Sequence, residues 1–299
     1  MPEQRARVRK AVLPVAGLGT RFLPVTKAVP KEMLPIVDVP SIQLIVEECV
    51  ASGIEQVILV TARGKSTLED HFDRAGELEA LLEKRGKTAD LALARKPSGL
   101  AKIISVRQAE ARGLGHAVLC AREAVGDEPF AVVLGDDLLD ARVPGIRQLL
   151  EVYERWGTGV VGLKEVDAGQ EHLYGIIAGT SVGPRQWKVS QMVEKPAPGT
   201  APSRLASIGR YVLPAEIFPI LAETAPGRGG EIQLTDGLET LRARAGLHGV
   251  EMEGQRFDAG DRAGYVLAQL HWALKRKEIA AEIRAGAKRI LEETPEPDA

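Results

Sequence analysis

Short runs of apolar, mostly β-branched residues alternate with amphipathic segments along the first half of the chain. These runs are almost continuously apolar, which is typical of strands in a sheet that is covered on both faces. The predicted strands are KAVLPV (10–15), QVILVT (56–61), IISVRQ (103–108), FAVVLGD (130–136) and TGVVGLKEV (158–166).

The segments between these strands have apolar residues at helical spacing. In residues 41–53 they fall at i, i+3, i+4, i+7 and i+8 from Ile42, with Ser41 as the N-cap and Gly53 as the stop. Further helices are predicted at 76–86, 115–125 and 144–156. Strand–helix alternation of this kind indicates an α/β fold with a Rossmann-like, doubly wound, mostly parallel sheet.

The pattern changes at about residue 167. YGIIAG and WKVSQMVEKP indicate antiparallel strands joined by a turn in GTSVGPRQ, and ASIGRYVLP indicates another strand. Helices are predicted at 215–224, 232–245 and 262–293. We therefore predict one domain over residues 1–275 with halves at about 8–166 and 167–261, a C-terminal helix at 262–293 and a disordered tail at 294–299.

Composition limits the possible partners. The 299 residues are 44% hydrophobic and 27% charged, and the net charge is −2, so general attraction to nucleic acid or to an anionic membrane is not expected. The opening residues, MPEQRARVRK, lack the apolar stretch of a signal peptide, and the only cysteines, Cys49 and Cys120, fall in helical patterns. We expect a cytoplasmic protein with reduced thiols and neither a membrane nor a nucleic-acid partner.

A glycine loop follows the first predicted strand. It does not complete the dinucleotide fingerprint, because the third glycine position is Phe22 and prolines prevent a helix from starting there. The later RGKST stretch does not complete a P-loop, because residue 59 is leucine, and Lys65 is interpreted as a solvated loop charge. The glycine loop could still wrap a triphosphate with its backbone amides and its cations, while a surface loop with incidental charges is the alternative.

Several motifs along the chain share a family resemblance. The stretch GLGTRFLPVTKAVPKEMLPIVDVPSIQ resembles the signature loop of the bacterial sugar-nucleotide pyrophosphorylases, in particular those that transfer a uridylyl group. The resemblance continues, in the family's order, through VRQAEARGLGHAVLCA, VVLGDDLLD, VEKP, IGRYVL, GGEIQLTD and FDAGDRAGY, and covers residues 8 to 275. It implies a mixed nucleotide-diphospho-sugar transferase sheet with an antiparallel sugar-binding insertion, and a homodimer or homotetramer.

The resemblance also implies a reaction. UTP and glucose 1-phosphate are converted to UDP-glucose and pyrophosphate, with Mg²⁺ assisting in-line attack of the sugar phosphate on the α-phosphorus. The nucleophile is already anionic, so catalysis consists of positioning and charge neutralisation rather than general-base chemistry. All five histidines are accordingly interpreted as structural or surface residues: His71, His116, His172, His248 and His271.

Roles are carried from the family onto matching positions. The residues implied in catalysis are Arg21, Lys31, Asp136 and Lys195. Those implied in nucleotide binding are Ala16, Gly17, Gly19, Gln108 and Gly115, with the Gln108 amide suited to the uracil edge. Those implied in sugar binding are Gly175, Glu194 and Gly209, and those implied in metal binding are Asp136 and Asp258. A purely local role in a glycine turn is the alternative for Asp258.

One departure from the family pattern, one neighbouring carboxylate and three rival functions accompany this assignment. Gly135 stands where relatives have proline, and Asp137 is a second carboxylate beside the metal aspartate that points elsewhere in our interpretation. The rivals are a transferase that uses dTTP, a non-catalytic nucleotide-sugar sensor, and an NAD-binding oxidoreductase. PKEMLPIVD and GLGHAV favour uridylyl transfer, retention of the charged residues disfavours the sensor, and Phe22 disfavours the oxidoreductase.

Overall fold

A computed structural model gives the fold of residues 6–295. The strands are β1 Lys10–Pro14, β2 Pro35–Ile36, β3 Val39–Pro40, β4 Gln56–Thr61, β5 Lys102–Arg107, β6 Phe130–Val133, β7 Asp137–Asp140, β8 Gly159–Glu165, β9 Gly175–Gly183, β10 Gln186–Glu194, β11 Leu205–Leu213, β12 Leu247–Glu251 and β13 Gln255–Asp258. The α-helices are α1 Ser41–Ala51, α2 Thr67–Phe72, α3 Gly76–Lys84, α4 Thr88–Arg95, α5 Leu114–Cys120, α6 Arg122–Val125, α7 Gly145–Trp156, α8 Ile217–Glu223, α9 Leu234–Ala245, α10 Arg262–Lys275 and α11 Ala280–Glu293.

Nine strands form one mixed sheet in the order β5-β4-β1-β6-β11-β8-β12-β10-β9. The first four run parallel to one another, whereas β11 is antiparallel to both β6 and β8. Because β1, β4, β5 and β6 are parallel, their carboxyl ends share one edge, and in open α/β sheets that edge faces the ligand crevice. The predicted doubly wound mixed sheet is confirmed.

Both faces of the sheet are buried, as the continuous apolar runs predict. One core contains Ile42, Ile45 and Val46 of α1, with apolar residues of α7 and α10. The other contains Ala117 and Val118 of α5, with apolar residues of α8 and α9. Strand residues alternate between the two cores: Leu13 and Leu59 belong to the first, and Val12 and Ile58 to the second.

The predicted antiparallel segment after residue 167 is present. β9 and β10 pair as a hairpin in which Gly175 lies opposite Glu194. The turn is shorter than the predicted GTSVGPRQ stretch, because β9 continues to Gly183 and β10 begins at Gln186. Arg185, at the turn, has a φ of 57°.

The C-terminal segment is two helices rather than the single helix predicted at 262–293. α10 ends at Lys275 and α11 begins at Ala280. Arg276 leaves helical geometry with a ψ of 109°, and its guanidinium pairs with Asp38 in the turn between β2 and β3. A tertiary ion pair therefore accompanies a break that local helix propensity does not predict.

Between residues 6 and 295, no helix is long and apolar enough to cross a membrane. Residues 296–299 of the predicted tail lie outside the described residues.

Candidate active site

Two adjoining cavities form one crevice along the carboxyl ends of the parallel strands. The loop cavity, of about 330 Å³, lies along the glycine loop and is lined by residues that include Ala16, Gly17, Lys31 and Gln108. The hairpin cavity, of about 320 Å³, lies beside the β9–β10 hairpin. Asp136 lines both cavities, so it marks the junction of the two halves of the crevice.

The glycine loop reaches the crevice because β1 ends beside it. Gly19 has a left-handed φ of 65°, and its carbonyl accepts a hydrogen bond from Thr26 Oγ1 at 2.8 Å. A Cβ at Gly19 would lie 3.2 Å from Cβ of Lys31, so glycine lets the two ends of the loop approach each other. Gly19 lines neither cavity and shapes the loop instead.

Lys31 and Asp136 form an ion pair at the centre of the crevice. Lys31 Nζ donates to Asp136 Oδ2, and both side chains are mostly buried. Burial acts to lower the pKa of Lys31, but the negative charges of Asp136 and Glu32 outweigh it and raise the pKa above its usual value. Lys31 is therefore a cation at neutral pH, as the sequence predicts.

Asp136 and Asp258 face the same small space. The antiparallel pairing of β7 with β13 places Asp258 opposite Asp137, one residue beyond Asp136. A Cβ built on Gly260 would collide with Oδ2 of Asp136 and would lie 3.0 Å from Oδ1 of Asp258. Burial, and then the negative charge of Asp136, raise the pKa of Asp258, although Arg256 acts in the opposite direction. The two carboxylates thus face a shared space, and a cation bound there would stabilise their negative charges.

The oxygen donors that face this space are of the type that a hard divalent ion prefers. Within residues 6–295 no group of three or more His, Cys, Asp or Glu side chains could by itself hold a metal. Two carboxylates are nevertheless a suitable donor set for Mg²⁺, which keeps several waters and also binds substrate phosphates. That Asp136 and Asp258 bind a metal stays a prediction.

Arg21 lies beside the two candidate metal ligands, Asp136 and Asp258. Its Nη1 donates to the carbonyl of Gly260 at 3.4 Å, and its own carbonyl accepts from Arg262 Nε at 2.8 Å. The side chain is exposed and lines the hairpin cavity, so its guanidinium can meet an incoming phosphate.

Gln108 lies at the end of β5 and lines the loop cavity. Its side-chain nitrogen lies 3.2 Å from the carbonyl of Gly113 and 3.0 Å from Nδ1 of His116, which fixes the orientation of the amide. The carbonyl oxygen is the remaining polar atom of that side chain. His116 thus holds the side-chain amide of Gln108, which is the candidate contact to the base.

Gly115 is packed differently from the prediction that its backbone meets the base. Its N–H donates to the carbonyl of Ile232 at 2.9 Å, and a Cβ there would lie 2.8 Å from the same oxygen. The glycine permits close packing of the segment around Ile232, and Gly113, rather than Gly115, lines the loop cavity.

The predicted sugar-binding residues meet in the hairpin cavity. Glu194 Oε2 accepts from Thr235 Oγ1 at 2.6 Å, and Glu194 Oε1 lies 3.4 Å from Nζ of Lys195. Lys195 has a φ of 42°, which turns the chain immediately after β10. A Cβ at Gly175 would lie 3.3 Å from Oε2 of Glu194, so glycine keeps this carboxylate accessible.

A buried ion network forms the wall behind the hairpin cavity. Arg210 is fully buried, and its guanidinium contacts Glu48 at 2.6 Å and Asp137 at 3.1 Å. Asp137 also accepts from Arg256, whose Nη2 lies 2.8 Å from Asp137 Oδ2. A Cβ at Gly209 would lie 3.0 Å from this same carboxylate. Asp137 is therefore a member of this ion network, paired with Arg210 and Arg256. That it points away from the metal candidates stays a prediction.

Several charged residues of the site are absent from the sequence-based assignment, and one of them, Glu231, lines both cavities. Arg256 lines the hairpin cavity, and Glu32 lines the loop cavity. Lys65, predicted to be a solvated loop charge, is buried, and its Nζ lies 3.0 Å from Oε2 of Glu32. The prediction for Lys65 is wrong, because the loop after β4 folds beneath the glycine loop.

Comparison with known proteins shows the family of this chain. The family model described as "Nucleotidyl transferase" matches residues 10–272. The chain belongs to the nucleotidyl transferase family. Members of this family generally use a divalent metal ion, in keeping with the facing carboxylates.

Similar members of the family have specific names. A Bacillus subtilis protein named UTP–glucose-1-phosphate uridylyltransferase is 50% identical over 277 residues, covering 93% of this chain and 95% of the relative. A Staphylococcus saprophyticus protein named UTP–glucose-1-phosphate uridylyltransferase 2 is 49% identical over 284 residues, covering 95% and 98%. A solved structure described as UTP-bound UGPase from Acinetobacter baumannii is 40% identical with a TM-score of 0.87, covering 96% of this chain and 100% of that one.

Proposed function

We propose that the chain is a UTP–glucose-1-phosphate uridylyltransferase that converts UTP and glucose 1-phosphate to UDP-glucose and pyrophosphate. The observation that carries this proposal is the junction at Asp136. There the loop cavity, suited to a nucleoside triphosphate, opens into the hairpin cavity, suited to a sugar phosphate. Relatives named for this activity match almost the whole chain.

The reacting groups meet near this junction. The sugar-phosphate oxygen attacks the α-phosphorus of UTP, a P–O bond forms, and the bond to the pyrophosphate oxygen breaks. Lys31 and Arg21 orient the triphosphate and neutralise its charge, while Lys195 approaches the attacking phosphate and lowers the repulsion between the two anions. Glu194 accepts hydrogen bonds from sugar hydroxyls, and the Gln108 amide meets the uracil edge.

We propose Mg²⁺ as the metal, held by Asp136 and Asp258. When bound, it would offset the negative charge that collects on the phosphate oxygens. The facing carboxylates and the raised pKa of Asp258 support this assignment.

The test is pyrophosphate release by the purified chain with glucose 1-phosphate and Mg²⁺, comparing UTP with dTTP. We expect rapid release with UTP and a clearly lower kcat/KM with dTTP. Faster turnover with dTTP would favour thymidylyl transfer. Binding of UDP-glucose without turnover would favour a sensor.

Self-association and a cytoplasmic location are further parts of the proposal. α10 exposes Val266, Leu267 and Leu270, whereas Trp272 packs on the chain's own core beside Phe257. We expect light scattering to give a homodimer or homotetramer at micromolar concentration, and a monomer would contradict this. The cytoplasmic location is supported by two cysteines that are both free thiols.

A further inference from the structure

Lys65 connects both ends of the glycine loop from beneath. Its Nζ donates to the carbonyl of Val15, the residue before Ala16, and lies 3.0 Å from Oε2 of Glu32. Residues 15 and 32 enclose the entire candidate triphosphate loop, including Arg21 and Lys31. One buried ammonium group therefore fixes where this loop leaves the sheet and where it returns.

Glu32 transmits this constraint to the crevice. Its side chain is 1% exposed, and its Oε1 lies 3.9 Å from Nζ of Lys31. Its backbone carbonyl accepts from Ser41 Oγ at 3.0 Å, which anchors the same turn to α1. Lys65, Glu32, Lys31 and Asp136 consequently form a row of alternating charges that ends at the junction of the two cavities.

Stability alone does not account for this pair. Burial lowers the pKa of Lys65 and raises that of Glu32, so both charged forms are held against a desolvation penalty. A buried ion pair can often be replaced by neutral residues of similar volume without loss of stability. An activity that depends on where Lys31 lies, however, requires the loop to be fixed.

We propose that the Lys65–Glu32 pair is a positioning element that holds Lys31 and the glycine loop in place for the UTP phosphates. The inference rests on the proposed uridylyltransferase function. Lys65 lies behind Glu32 and acts on the substrate through it, so it is a positioning residue and not a catalytic one. Its effect is confined to the nucleotide half of the crevice, because Glu194 and Lys195 are held by other contacts.

The experiment compares Lys65→Met, Lys65→Arg and the double variant Lys65→Met/Glu32→Gln with the parent chain. Lys87→Met is the matched control, because Lys87 makes an exposed ion pair with Asp90 at 3.2 Å far along the chain. Each protein is assayed with UTP and glucose 1-phosphate varied separately, and its thermal unfolding is recorded.

We expect Lys65→Met to lower kcat/KM for UTP by roughly 10- to 100-fold, the size of effect that loop misplacement produces. KM for glucose 1-phosphate should change by less than about threefold, the double variant should melt within about 4 °C of the parent, and its UTP kinetics should stay impaired. Lys65→Arg should retain part of the activity, because it keeps a cation beside Glu32. Lys87→Met should match the parent in every measurement.

Parental UTP kinetics in the double variant would overturn the proposal, as would a defect in Lys65→Met that falls equally on both substrates. If the double variant does not fold, the substrate dependence of Lys65→Met and the partial rescue by Lys65→Arg decide the question. A parent chain that does not release pyrophosphate from UTP would instead refute the proposed function, independently of the variants.

Discussion

Replacing Asp136 by asparagine separates the two roles that this carboxylate has at the junction of the cavities. The amide keeps the shape of the side chain but removes both the candidate metal ligand and the counter-ion of Lys31. With Mg²⁺ present, loss of a preorganised charged group should lower turnover by about 10²–10³-fold. Without metal, Asp136→Asn should instead strengthen UTP binding, because the variant removes an anion that repels the triphosphate.

An order of magnitude for the metal-free effect follows from Coulomb's law. For unit charges roughly 8 Å apart in an effective dielectric constant of about 20, the repulsion is about 2 kcal/mol. Releasing Lys31 from its ion pair acts in the same direction. We therefore expect Asp136→Asn to bind UTP roughly 10- to 30-fold more tightly than the parent in a chelator, since each 1.4 kcal/mol is a factor of about ten.

The assay is isothermal titration calorimetry of UTP in EDTA, followed by the same titration and steady-state kinetics in Mg²⁺. The proposed assignment predicts tighter UTP binding in EDTA combined with slow turnover in Mg²⁺. Weaker binding of UTP in EDTA, or near-parental turnover at limiting Mg²⁺, would refute the reasoning that places Asp136 between Lys31 and the metal.

Three other variants test separate parts of the crevice. Lys195→Ala should raise KM for glucose 1-phosphate and lower kcat by roughly 10²–10³-fold, while UTP binding measured by calorimetry stays unchanged. A defect in UTP binding alone would contradict the role given to Lys195. Gln108→Ala should raise KM for UTP and reduce the preference for uracil over cytosine, at a cost of roughly 1–3 kcal/mol in binding. An unchanged base preference would show that Gln108 does not recognise the base. Arg210→Met should lower the free energy of unfolding by roughly 3–5 kcal/mol in urea titrations, because it leaves Glu48 buried without its cation, and a loss below about 1 kcal/mol would contradict this.

Much of the sheet can be predicted from the sequence because its strands are buried on both faces. The predicted strand at 56–61 coincides with β4, and the predicted strand at 10–15 differs from β1 by one residue. Continuous apolar runs indicate such strands without knowledge of their neighbours. The position of Gln108 directly after β5 could be predicted for the same reason, whereas β6 ends at Val133, so Asp136 lies in the connection between β6 and β7 rather than at the end of a strand.

The supporting charges could not be predicted, because their partners are distant in sequence. Lys65 has the composition of a solvated loop charge, and only the fold places it under Glu32. Arg210 meets Glu48 across 162 residues, which no local pattern signals. A weaker indication of these supporting charges was available in the sequence. Charged residues stand beside the predicted strand ends, and a sheet edge brings such positions together.

Under the proposed function, opposite charges in the crevice would let a chain of net charge −2 bind two polyanionic substrates. Lys31 is paired with Asp136, and Lys195 lies 3.4 Å from Glu194, so neither cation produces a large field alone. We expect binding of a phosphate to exchange the partner of a cation instead of relying on bulk attraction. This exchange predicts that Lys31→Met and Asp136→Asn shift metal-free UTP affinity in opposite directions, with Lys31→Met weakening it. Calorimetry in EDTA on both variants measures the two signs. A shift in the same direction would mean that Lys31 and Asp136 stabilise the loop together and do not exchange partners when the triphosphate binds.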